Sequence, residues 1–145
     1  MGAYIEIKHF NYDAGMLATL TRSLTSDHKK IVLEKAIAEA EGLVSLEMNY
    51  FLDLSEVVES ELSTQLQSKL ALFRNALADI VIWVLFKNSD ITFSEEILNK
   101  AIQTKDSALS IIARLAVDKD FKDEFADETD EVAEPMSMTG KILRA

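Results

Sequence analysis

The eleven residues ALADIVIWVLF (76–86) constrain this chain more than any other feature. Every position except Asp79 is apolar. The unbroken part, Ile80 to Phe86, is seven residues long, whereas a membrane-crossing helix needs about 20. The run must therefore find its cover inside protein. A helix that is apolar all round is a core helix, which predicts that Trp83 is core and that Asp79 is at least partly buried. A buried carboxylate has to be paired, hydrogen-bonded, metal-bound or protonated. Arg74, Arg114 or a helix end are the structural partners to expect; a metal ligand or general base is the functional alternative. A third reading makes residues 78–86 a core strand with Asp79 at its edge.

Around this run the apolar spacing is mostly helical. Asp13 is placed to cap a short helix through Leu24, with Met16, Leu17, Leu20 and Leu24 as its stripe. Thr25, Ser26 and Asp27 form a second start signal. Leu33, Ala36, Ile37, Ala40 and Val44 follow at three- and four-residue steps, which assigns Lys30, Glu34 and Glu41 to the opposite face. Gly42 either sits inside this helix or ends it. From Val44 to Leu52 the residues also alternate, so a strand is an alternative there; the lack of a bracketing turn cluster favours helix. Asp53 and Glu56 have capping-box spacing and predict a helix start. Thr64 and Gln67 repeat it, with a turn near Ser63 and a longer helix to Phe86. Lys87 to Asp90 is a polar loop, Thr92 and Glu95 form a third box, and Asp106 is placed to cap a continuation bearing Leu109, Ile112, Leu115 and Ala116. At the start, Ala3 to Phe10 alternates with period two, a short strand that could pair within the chain or across a dimer, so a homo-oligomer stays open. The fold expected is all-α, a single bundle of four to six helices with a short N-terminal strand. The alternative is α+β with a small two-stranded sheet.

The chain has 145 residues, 48% of them hydrophobic, which suits one domain with a real core. Its composition changes after Val117. Residues 1–117 read as the helical domain; residues 118–145 read as an acidic tail, a helix extension and then disorder beyond about Asp127. The tail has nine acids against four bases and so carries half of the net charge of −10. Such a chain is repelled by phosphate backbones, which argues against nucleic acid as a partner. No segment suits a membrane. A protein partner, basic for preference, is compatible. With no cysteine, disulfides, thiolate metal sites and a cysteine nucleophile are excluded. The N-terminus lacks a secretory pattern, so the cytoplasm is the compartment expected.

Few residues carry candidate chemistry. Glu56 and Glu59, one helical turn apart, have the spacing of a pair that holds a hard cation such as Mg²⁺. His28 has no acid or second histidine at helical metal-site spacing, and His9 lies in strand and turn. Asp118 and Asp120 start like a calcium loop, but Asp123 stands where glycine is needed and Thr129 where the closing glutamate belongs. An E-x-x-E helix followed by a helix of the type E-L-A-D-V-hydrophobic resembles the MazG-like all-α nucleoside triphosphate pyrophosphohydrolases. The likeness is clearest from Ala76 to Lys100. It implies Mg²⁺ held by Glu56, Glu59 and Asp79, with a metal-bound water attacking phosphate. Ala76 stands where that family has its third acid, and Asn99, Lys100 and Lys105 match its later polar residues loosely. Phe121 and Phe125, one turn apart in the acidic tail, are candidates for binding a grooved partner. The reading that follows is a non-enzymatic acidic interaction protein of adaptor, inhibitor or immunity type, needing no cofactor. The alternative is a Mg²⁺-dependent pyrophosphohydrolase, intact or degenerate.

Overall fold

The computed structural model of the protein describes residues 4–5, 10, 15–21 and 24–127. These form an all-α bundle of five helices: α1 (Gly15–Thr21), α2 (Ser26–Met48), α3 (Thr64–Lys87), α4 (Glu95–Ala116) and α5 (Lys119–Phe125). Most of the expected N-terminal strand, and the tail beyond Asp127, lie outside the described residues. Helix α3 is the central element and packs on each of the other four. None of the described helices is long and apolar enough to cross a membrane.

Helix starts follow short polar side chains. Thr25 Oγ1 accepts from His28 N at 3.3 Å, Ser63 Oγ from Leu66 N at 3.1 Å, Ser94 Oγ from Ile97 N at 3.3 Å, and Asp118 Oδ1 from Phe121 N at 3.0 Å. Each satisfies one of the donors a helix leaves open at its first turn. The expected caps at Thr64 and Thr92 are thus displaced by one and two residues, onto serines. Gln67, expected to close a capping box, instead donates to Glu59 O and Leu62 O at 2.8 and 3.2 Å. Helix α4 runs through Asp106 without a break.

One alternative falls and one expected element is corrected. Helix α2 passes Gly42 and continues to Met48, so the strand alternative from Val44 to Leu52 does not hold. The helix ends at Asn49, whose left-handed backbone (φ 67°) lets its N–H reach Ser45 O at 2.9 Å. The helix expected from Asp53 does not form. Asp53 Oδ1 accepts from the N–H and the hydroxyl of Ser55, at 3.1 and 2.6 Å. That bond closes a local turn, and no α-helical turn follows it directly. The chain then passes through a short 3-10 turn, Glu59–Glu61, before α3.

The core does not stop at Val117. Helix α5 is a separate element with its own cap, and Phe121 and Phe125 are both 0% exposed. Phe121 meets Phe73 of α3 at 5.7 Å and Phe125 at 4.9 Å. An isolated antiparallel bridge, Leu52 with Ala126, ties the end of α5 to the loop after α2. Asp53 N donates to Phe125 O, and Asp127 N to Phe51 O, both at 2.8 Å.

Candidate functional site

The apolar run from Ala76 to Phe86 has two sides. Phe73, Leu77, Ile80, Val81 and Val84 turn into the bundle and are fully or almost fully buried. Asp79, Ile82, Trp83 and Phe86 share the other side at helical spacing and line an open groove of about 400 Å³. Its second wall is α4, through Ile97, Lys100, Ala101 and Thr104. Asp79 is exposed, not buried, and Trp83 is half-buried on the wall rather than in the core. Residues on both sides of α3 are apolar, so their spacing carries no information about which side turns inward. The apolar wall still withdraws water from the Asp79 carboxyl and raises its pKa above the ordinary value.

Aromatic side chains build one end of the groove. Phe86 stacks between Phe93, at 4.5 Å, and Trp83, at 6.0 Å. Lys105 Nζ lies 5.4 Å from the Trp83 ring, in cation–π contact, and pairs with Asp106 at 2.8 Å. The first turns of α4 project from the bundle: residues 95–100 are all exposed, with Ile97 at 39% and Leu98 at 40%. Asp79 and Lys100 have no ionic or hydrogen-bonded partner among the described residues.

The carboxylates expected to hold Mg²⁺ are not brought together. Glu56 lies exposed in a turn, beside a different pocket lined by Asp53, Glu61 and Glu124. Glu59 lies in the 3-10 turn and pairs with Arg74, which also donates to Tyr4 O at 3.2 Å. Arg74 is thereby engaged away from Asp79. Ala76, at the family's third acid position, faces the core. Among the described residues no group of three or more His, Asp or Glu side chains is placed to hold a metal ion. His28 is exposed, and His9 lies outside the described residues. Phe121 and Phe125, the candidates for binding a partner, are fully buried; their one-turn spacing marks the buried side of α5.

Among the described residues the acid that is buried is Glu41, at 7% exposure. It was assigned to the outer face of α2, yet it lies four residues after Ile37 and three before Val44, inside the buried stripe. Its carboxylate accepts from Tyr4 N at 2.6 Å and from the Ile5 N–H. Burial raises its pKa, and these bonds pull it partly back. The Tyr4 hydroxyl accepts from Leu52 N at 3.0 Å and meets Ser45 Oγ at 3.4 Å. This cluster clasps Tyr4 and Ile5 onto α2, a packing role for an acid that the stripe's own spacing could have revealed.

The chain matches no protein-family model, no curated protein and no solved structure. The groove must be read from its own chemistry.

Proposed function

We propose that this is a non-enzymatic helical interaction protein that binds a protein partner along the groove between α3 and α4. The observation that carries the reading is the groove itself: Ile82, Trp83 and Ile97 line an open surface beside Asp79 and Lys100, neither of which has an ionic or hydrogen-bonded partner among the described residues. Aromatic and branched apolar groups that are incompletely covered gain most when a partner excludes their water. A groove between two antiparallel helices receives a third helix by its apolar side. The occupant this chemistry calls for is an apolar helical face carrying a base to meet Asp79 and an acid to meet Lys100. The cysteine-free composition is consistent with a cytoplasmic setting.

Lysine-reactive cross-linking in the source cell, followed by mass spectrometry, tests this. Lys100 and Lys105 stand at the groove and report on whatever occupies it. The expected result is a cross-linked peptide through one of these lysines that disappears when Ile97 is replaced by Glu. Ile97 is exposed enough for that change to leave the fold intact. Cross-links confined to other lysines, unchanged in the Ile97→Glu protein, would remove the groove from consideration.

A further inference from the structure

Asp127, the last described residue, is tied to one end of the bundle. Its N–H donates to Phe51 O at 2.8 Å, and the neighbouring Ala126 borders the same pocket as Ser63 and Leu66 at the start of α3. The groove lies further along α3. From Thr64 to Trp83 is about 29 Å at 1.5 Å per residue. Residues 128–140, drawn out, cover up to about 43 Å, so the residues after them are within reach of the groove. Composition changes a second time at Pro135. Residues 118–134 hold nine acids and two bases, whereas residues 135–145 hold no acid. They carry Met136, Met138, Ile142 and Leu143, the last two flanked by Lys141 and Arg144. This is chemistry that the groove lacks. Asp79 stands on an apolar wall without an ionic partner, while Lys69, Arg74 and Lys87 are paired with Asp118, Glu59 and Glu39. A base that arrives with apolar neighbours covers wall and charge together. Methionine is unbranched and its thioether packs well on aromatic rings, which suits Met136 and Met138 to Trp83. Glu131 and Glu134, just ahead of Pro135, are acids for Lys100.

We infer that residues 136–144 of this chain cover its own groove, with Lys141 or Arg144 meeting Asp79 and the apolar side chains lying on Ile82 and Trp83, and that a partner must displace them. The inference rests on the groove being a protein-binding surface. A tether of this length holds the segment at an effective concentration on the order of 1 mM, so weak contacts are enough to keep it in place. A partner then binds the uncovered fraction of molecules, and its apparent affinity falls in proportion to that fraction.

Amine-reactive cross-linking of the purified full chain, as an equal mixture of isotope-labelled and unlabelled protein, is the test. The expected product joins Lys141 to Lys100 or Lys105 within one molecule, so both of its peptides carry the same isotope. It is lost in the double variant Ile142→Glu, Leu143→Glu. The single tryptophan reports the same event: in the variant Trp83 emission shifts to longer wavelength and acrylamide quenches it more readily. Circular dichroism of the variant confirms that the helices persist. Lys141 links spread alike over lysines away from the groove, or a link and an emission that the variant leaves unchanged, would overturn the inference. A link of mixed isotope would overturn it as well, since the segment would then lie on another copy. In the source cell the variant is expected to give more of the partner cross-link through Lys100 than the wild type does. A partner link at Lys100 with no Lys141 link in the purified chain would overturn the self-covering and leave the partner reading standing. A Lys141 link with no partner link in the cell would uphold the self-covering and remove the partner reading.

Discussion

Two acids show how one charged residue is handled differently by its surroundings. Asp79 sits among apolar neighbours in the sequence and is exposed; Glu41 sits in an ordinary amphipathic helix and is buried. Glu41 is tolerated because two backbone N–H groups point at it. Burial nevertheless outweighs those bonds, and its pKa is raised. A carboxyl whose folded pKa exceeds its unfolded value binds its proton more tightly in the folded chain. Its contribution to stability is complete below the ordinary carboxylate range and is lost as pH rises through the raised value. Glu41→Gln keeps an oxygen to accept from Tyr4 N and removes the charge. The variant is expected to gain stability relative to the wild type as pH rises from the ordinary carboxylate range through the raised value. Urea midpoints at a series of pH values measure this, and a difference that does not change with pH would contradict it.

At the scale of the element, helix α2 contains its own weak point. Gly42 lies mid-helix and exposed, and a methyl group added there would meet no atom within 4 Å. Its backbone freedom therefore costs stability without serving packing. Gly42→Ala is expected to stabilise the chain by about 1 kcal/mol, the difference between the two residues in a helix interior. Chemical denaturation should show a higher midpoint with an unchanged slope. The starts of α2, α3 and α4 were legible in sequence to within two residues, because Thr25, Ser63 and Ser94 cap by local geometry alone; the separate start of α5 at Asp118 was not. The failed start at Asp53 shows the limit of such signals. An Asp followed by Ser two residues later can close a turn as easily as it can open a helix, and the choice fell to the turn that aligns Leu52 with Ala126.

For the whole molecule, the unexpected contributor is α5. Its acidic composition resembles a solvated tail, but its two phenylalanines complete the core between α3 and the loop after α2. Phe121→Ala should cost about 3–5 kcal/mol, as for other large aromatic truncations in a close-packed interior. Thermal unfolding should record a fall in midpoint of many degrees. A chain ending at Val117 loses both rings and the bridge at Ala126, and should fail to unfold cooperatively. If that shortened chain melted like the wild type, the core would have been drawn too large.

The amino-acid sequence by itself determined that this protein is built of helices, where most of them begin, and that its central helix is α3. These follow from short-range effects: side-chain oxygens within reach of free N–H groups, and apolar residues at three- and four-residue steps. Only the tertiary structure decided which side of α3 turns inward, and hence that Asp79 and Trp83 border an open groove. It also decided that Glu41, Phe121 and Phe125 are covered. Burial is set by the neighbours that arrive from distant parts of the chain. When both sides of a helix are apolar, or when two aromatics stand in an acidic segment, the local pattern suits more than one arrangement and the packing of the whole selects among them.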